Sequence, residues 1–350
     1  MGVYDDGWHV LREQRRARAI ELGIVPAGSG IGRMSTTDDW DALNEDRRRY
    51  EAKRMAVYGA MVEAMDYHLG RLFDYLKDRG QYHNTIVIFT SDNGAEASGP
   101  ADPASFAARQ GPAALGYHDD YERLGLQGSY NTISPSFASA AASPLAFYKF
   151  YAGEGGMRVP LIVAGAGLPG NGGLSHAFSL VTDITPTILA AAGVTPPERR
   201  YRGRPVEPII GRDLGPMLRQ EVDRVYSAED TVGYELAGHA ALFQGDYKLL
   251  FIRPPLGDGQ WHLYNIVQDP GETLDLASQQ PQRLQRMLSA YERYARDTKV
   301  LAVPEGYDHR KQLLINILYQ RAQTPVLMLL LTVLLLLPFL VAYRLKRKGA

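Results

Sequence analysis

Apolar residues recur at Met55, Tyr58, Met61, Val62, Met65, Leu69, Leu72 and Leu76, the spacing that lines one face of a helix. The pattern predicts a helix over 46–80, stopped by Gly80. A continuous apolar run follows at 85–90 (Thr85-Ile86-Val87-Ile88-Phe89-Thr90), and a second at Leu161 to Val163. Runs this uniformly apolar predict strands covered on both faces, so helix, loop and strand read as an αβ unit of a parallel sheet. A glycine-rich loop at 165–173 then leads to a helix over about 185–192, with Thr185 as N-cap, Pro186 in the first turn and Gly193 at the end.

Beyond 219–224 the period shortens. Val225 to Ala228, Ala240 to Phe243, Tyr247 to Phe251 and His262 to Tyr264 predict short strands, and 280–294 predicts a helix packed on them. The last pattern is different in kind. From Pro325 to Tyr343 no charged residue occurs, a length that spans a hydrocarbon layer of roughly 30 Å at ~1.5 Å per residue. Pro338 is tolerated in such a helix. The following Arg344, Lys346, Arg347 and Lys348 predict a cytoplasmic tail, which places residues 1–324 on the opposite side of the membrane. Leu313, Leu314, Ile317 and Leu318 form an apolar face suited to the interface just before it.

The chain has 350 residues, 45% hydrophobic and 22% charged, with a formal net charge of -1. That length buries a substantial core, and that charge gives no reason to expect nucleic acid. Basic clusters such as Arg15-Arg16 and Arg47-Arg48-Arg49 alternate with acids and read as solvated helix faces. The absence of cysteine excludes disulfides without fixing a compartment. Met1 to Leu22 has no apolar core of the kind a signal peptide carries.

Candidate chemistry centres on Ser91-Asp92-Asn93-Gly94, directly after the first strand. A carboxylate and a carboxamide on a glycine turn offer two hard oxygen donors, which suit a calcium- or magnesium-type cation, although Asp-Asn-Gly is also a favoured plain turn. Lys149, within Phe147-Tyr148-Lys149-Phe150-Tyr151, offers a compact ammonium for a tetrahedral oxyanion, or is a solvated surface lysine. Tyr117 to Glu122 form part of a long loop in which His118 is a candidate proton carrier or a plain surface histidine. Asp5 and Asp6 read as a helix start.

These residues resemble the arylsulfatases of the alkaline-phosphatase superfamily, particularly the bacterial type. The likeness runs through Asp66-Tyr67-His68-Leu69-Gly70-Arg71-Leu72, Ser91-Asp92-Asn93-Gly94, Tyr148-Lys149 to Glu154-Gly155-Gly156-Met157-Arg158-Val159-Pro160, Thr182-Asp183-Ile184-Thr185-Pro186-Thr187-Ile188-Leu189, and Trp261-His262-Leu263-Tyr264-Asn265 with Asp269-Pro270-Gly271-Glu272-Thr273. The resemblance implies Asp92 and Asn93 as ligands of a divalent cation, usually calcium in that family, and Lys149 as a holder of a sulfate oxygen. It also implies an α/β sulfatase core over 1–218, incomplete here, and a small antiparallel subdomain over 219–300. A juxtamembrane stretch at 301–324, the spanning helix at 325–343 and the tail at 344–350 complete the predicted organisation.

Such enzymes attack sulfur with a formylglycine made from Cys-x-Pro-x-Arg or Ser-x-Pro-x-Arg. This chain has no cysteine, and neither Ser134-Pro135 nor Ser143-Pro144 has the required proline and arginine. The two further metal aspartates of the family are missing too. The sequence therefore reads as the carboxyl-terminal portion of a membrane-anchored arylsulfatase, inactive alone, with the missing amino-terminal half as its partner and an exposed apolar sheet edge. Two alternatives stand beside it: a non-catalytic membrane-anchored remnant or scaffold, and a phosphate or phosphonate ester hydrolase of the same superfamily.

Overall fold

In the computed structural model the described residues are 2–32, 37–97, 113, 116–170 and 172–308, with 311–312, 315–316, 319, 325, 328, 331–332 and 334–338 beyond them. The chain divides into one unit of residues 1–299 and another of 300–350.

In the first unit, helix α1 (Gly7–Glu21) follows Asp6, which occupies the N-cap position without a side-chain cap bond. The predicted carboxylate cap is thus absent, and the chain enters through Gly7, whose Cα lies so close to the Trp40 indole that a Cβ there would meet it at 2.4 Å. Helix α2 (Glu45–Asp78) starts where Asn44 accepts the Arg47 N–H at 2.9 Å, and it ends before Gly80 at φ +66°. Its first turns sit on the core through Ala52 and Met55, while Met61, Val62, Met65 and Leu72 are exposed. The apolar stripe expected to lie on the core is therefore buried only at its start. Helix α3 (Pro135–Ala142) packs on α1, with Phe137, Trp8 and Trp40 meeting edge to face at ring separations of 4.7–6.0 Å.

Strand β1 (Ile86–Thr90) pairs with β2 (Leu161–Gly165) in the register Ile88↔Val163, and the pairing is antiparallel. This corrects the parallel αβ unit expected from the sequence. The reason lies at one end of the ribbon: the turn after β1 is bonded to the turn before β2, through Gly94 N–H and the Gly156 carbonyl at 3.0 Å. The chain leaves β1 and enters β2 at the same end, so the two strands must run in opposite directions. Neither strand is covered on both faces, and Ile86 and Ile162 are exposed.

Helix α4 (Ile184–Ala191) is preceded by Asp183, so Thr185 lies inside its first turn and is not the N-cap. The Asp183 side chain is buried and accepts the Leu180 and Arg212 N–H groups and the Tyr226 hydroxyl, each at 2.7 Å. Arg212 in turn forms a bidentate pair with Asp230 at 2.7 Å. These ties hold 226–230 as a turn, which is why the strand expected at Val225 to Ala228 does not form. A two-residue ladder of β3 (Arg200–Tyr201) with β4 (Arg204–Pro205) precedes it.

Four strands, β5 (Thr231–Leu236), β6 (His239–Gln244), β7 (Tyr247–Phe251) and β8 (Trp261–Asn265), form an antiparallel meander in chain order. Helix α5 (Pro281–Asp297) buries Met287 and Ala290 against Leu242, Leu249 and Leu263 on one face. Strand alternation sends Ala241, Phe243 and Leu250 to the other face, into the core that holds Trp8, Met55 and Phe137. The sheet is thus covered on both sides.

At its rim, His262 lies between two carboxylates, with Nδ1 2.8 Å from Asp275 and Nε2 3.0 Å from Asp258. Burial pulls the imidazole downward, but the hydrogen bonds and charges of Asp258 and Asp275 outweigh it and hold His262 above its usual 6.5. His262 keeps Asp258 below 3.8, and for Asp275 burial is outweighed by the Leu263 and Ala277 N–H groups and by His262. A raised histidine stabilises most below 6.5 and loses that as pH rises through its folded value, while lowered carboxylates stabilise most above 3.8. The clasp therefore contributes most between those limits. In urea titrations across this range, His262→Ala is expected to remove that maximum, by less than about 1 kcal/mol at so exposed a site.

In the second unit, the described positions between 311 and 338 are helical. No helix of the described residues is long and apolar enough to cross a membrane, and much of the apolar stretch 325–343 lies outside them. Leu313, Leu314, Ile317 and Leu318, read as an interfacial face, also lie outside the described residues.

Candidate active site

At the end of β1 the chain folds into a turn whose own side chains close it: the Ser91 hydroxyl donates to the Asn93 carbonyl at 2.8 Å, and Asn93 Nδ2 donates to Asp92 Oδ1 at 2.6 Å. Asp92 is exposed and Asn93 half-buried. The turn is pressed onto Glu154–Met157, a single helical turn. A Cβ on Gly94 would lie 1.9 Å from the Gly155 carbonyl oxygen, so only glycine permits this approach. Gly155 donates its own N–H to the Ala146 carbonyl at 2.7 Å, which draws the aromatic stretch into the same contact.

Lys149 joins through its backbone, its N–H donating to the Ala95 carbonyl at 3.1 Å. Its ammonium is ion-paired with Glu96 and lies 5.4 Å from the Phe150 ring centroid. Phe147 and Phe150 flank it with φ of 67° and 79°, a backbone region that bulky residues enter only when the surroundings enforce it. The three residues picked out in the sequence, Asp92, Asn93 and Lys149, are thus brought to one pair of interlocked turns. His118 is not brought there by any described contact. Its loop lies on α2, where Tyr50 donates to the Asp119 carbonyl at 3.1 Å and the Lys53 ammonium sits 4.3 Å from the Tyr121 ring centroid. His118 is half-buried, with both ring nitrogens shielded from solvent.

Behind the turns sits a charge cluster that sequence reasoning missed. Lys248 on β7 is fully buried and donates to Glu154 Oε1 at 2.9 Å and to Glu272 Oε1 at 2.7 Å. Glu272 Oε2 accepts the Glu154 N–H at 2.9 Å, and Arg158 Nε donates to Glu154 Oε2 at 2.7 Å. Burial disfavours the charged Glu154, yet Lys248 and Arg158 outweigh it and hold its carboxyl below the ordinary range. Burial likewise opposes the charge on Lys248, and the two glutamates hold it above its ordinary value. Glu272 is pushed up to about 7 by burial, with Lys248 pulling down and Glu154 pushing up. Lys248 stands in the strand pattern Tyr247-Lys248-Leu249-Leu250, and strand alternation alone puts it on the face opposite Leu249. That was the available signal.

As a cation site the turn fits in donor type, with a carboxylate and a carboxamide oxygen. It does not fit in number, since two donors are far from the six to eight oxygens of calcium. Among the described residues no group of three or more His, Cys, Asp or Glu has the arrangement that holds a metal ion. The Asn93 amide nitrogen also faces Asp92, so the carboxamide must turn over before both oxygens face one point.

Comparison with known proteins gives the context. The family described as Sulfatase matches residues 25–194. An uncharacterized sulfatase of Schizosaccharomyces pombe is 34% identical over 87% of this chain and 55% of its own length. An arylsulfatase of Klebsiella aerogenes is 31% identical over 61% of this chain and 45% of its own. Among solved structures, a sulfatase from Pseudoalteromonas sp. aligns with a TM-score of 0.44 and 22% identity, covering 70% of this chain and 44% of that one. The chain spans about half the length of the curated relatives it matches.

Proposed function

Because this chain belongs to the sulfatase family through residues 25–194, we propose that it supplies one part of the active site of a sulfate ester hydrolase, with the sulfur-attacking group contributed by a segment outside it. The observation that carries this reading is the interlocking of the Asp92-Asn93 turn with the Lys149 stretch through Gly94, Ala95 and Gly156. In this reading Asp92 and Asn93 are two ligands of a divalent cation, calcium by preference, which when bound would polarise a sulfate oxygen. The remaining donors come from elsewhere. Lys149 exchanges its carboxylate partner Glu96 for an ester oxyanion, and the buried aromatic stretch holds it at the turn. The substrate class is an aryl sulfate, released as phenol and sulfate.

Two outcomes test this. The isolated chain turns over no chromogenic aryl sulfate above background, and turnover by it that is lost on Asn93→Ala would overturn the divided site. In a protein completed by a segment bearing Cys-x-Pro-x-Arg and paired aspartates, Lys149→Ala lowers kcat/KM by about 10²–10³, the cost of one oxyanion donor. An unchanged kcat/KM would remove Lys149 from the site.

We also propose that residues 325–343 anchor the protein, with residues 1–324 outside the cytoplasm. Supporting this are the charge-free stretch and the four basic residues after it. The chain expressed in cells then stays with membranes through alkaline extraction and leaves them when 325–350 are deleted. Release of the intact chain at high pH would refute the anchor.

A further inference from the structure

The Lys248 cluster connects the antiparallel sheet to the candidate site by an unbroken set of contacts. Lys248 on β7 grips Glu154, which begins the turn 154–157. The turn's Gly156 carbonyl takes the Gly94 N–H at 3.0 Å, and Gly94 follows Asn93 directly. Glu272, from the loop after β8, closes the set by holding both the Lys248 ammonium and the Glu154 N–H. Arg158 ties the far end of the turn to the sheet as well, through the Ile266 carbonyl at 3.2 Å.

We propose that Lys248, Glu154 and Glu272 form a positioning pin by which the sheet fixes the height and rotation of the Glu154–Met157 turn, and so the placement of Asn93. The physical ground is what buried ion clusters are suited to do. Replacing one with apolar side chains of similar volume is commonly neutral or stabilising, because desolvation consumes the Coulombic gain. Bulk stability is therefore a poor reason for a buried lysine between two carboxyl groups at this point. Direction is a better one: the ammonium reaches two carboxylates at fixed angles, whereas apolar contacts are non-directional. The glycines let the turn pack backbone to backbone on 146–151, where a Cβ on Gly155 would lie 2.2 Å from the Phe147 carbonyl oxygen, and the Gly155 N–H bonds Ala146; the charges add the tie from β7 and from the loop after β8. The proposal rests on the reading of the Asp92-Asn93 turn as the site, while the pin itself is a statement about the turn's placement.

The test follows the Gly94 amide, which reports the Gly94–Gly156 bond. In the full chain, the triple variant Lys248→Met/Glu154→Leu/Glu272→Leu is expected to keep its urea midpoint near wild type. Hydrogen exchange at Gly94 is expected to speed up by about tenfold or more, with its NMR signal shifted or broadened, while amides of β6 exchange as before. Lys248→Arg is expected to keep Gly94 protected. A folded triple variant with unchanged Gly94 exchange overturns the proposal. If the triple variant does not fold, Glu272→Gln takes its place, and unchanged Gly94 exchange in that variant is equally fatal. Titrating the wild type with calcium separates the two ideas. Faster Gly94 exchange in the variant supports the pin even if the wild type ignores calcium. A calcium response at Asn93 with unchanged exchange in the variant overturns the pin and leaves the cation reading standing.

Discussion

Lys248→Ala is expected to cost about 3–5 kcal/mol of stability, the range for breaking a buried ion pair from one side. The ammonium is the shared partner of Glu154 and Glu272, at 2.9 and 2.7 Å. Its removal leaves two carboxylates facing each other without solvent. Glu154 keeps Arg158 as a partner, so the burden falls on Glu272. That group already sits at about 7, and loss of Lys248 removes the charge that pulls it down. A group raised above its unfolded value is most stabilising in its protonated form, below the unfolded value, and loses that as pH rises through the folded one. The variant therefore suffers less at pH 6, where Glu272 is protonated, than at pH 8, where ionising it is required. Urea unfolding at the two pH values reads both the loss and its direction. A loss equal at both, or under about 1 kcal/mol, would mean that the cluster is open to water.

Gly94→Ala has the second large effect, on the site and not on bulk stability. The added methyl would lie 1.9 Å from the Gly155 oxygen and 2.9 Å from the Gly156 Cα. These are backbone atoms, so no side chain can swing aside. The turn must lift, breaking the Gly94–Gly156 bond and separating Asn93 from the Lys149 stretch. Cation affinity at the turn is expected to fall by tenfold or more, the scale of about 1.4 kcal/mol for one displaced ligand set. Calorimetric titration with calcium on the parent and variant reads this. Equal affinity would show that the approach of the two turns is irrelevant to binding.

The sequence made some of this legible. β6 and β7 were readable as short apolar runs because both faces of the sheet are covered, and α5 by the helical period that sets Met287 and Ala290 on Leu242, Leu249 and Leu263. The location of β1 and β2 was readable for a similar reason, but not their direction. A five-residue apolar run is the same read either way, and the bond between Gly94 and Gly156 that decides it joins residues far apart in the chain. The outer part of the α2 stripe was misread because periodicity reports amphipathicity without saying what covers it; Met61, Val62, Met65 and Leu72 are exposed. Lys248, Glu154 and Glu272 were passed over because lysine and glutamate are surface residues by default. Only their three-way contact makes burial tolerable. Asp92, Asn93 and Lys149 stood out by residue type and by family resemblance, whereas Glu96, which holds the Lys149 ammonium, carried no such mark.

The most direct measurement of the central claim is a calcium titration of the full chain followed by the NMR signals of the Asn93 carboxamide and the Gly94 amide. Both signals are expected to move together and to saturate weakly, in or above the range of about 1 mM that bounds the weakest calcium modules, and Asp92→Ala is expected to abolish the response. Signals at Asn93 and Gly94 that stay still through saturation of the protein elsewhere would contradict it.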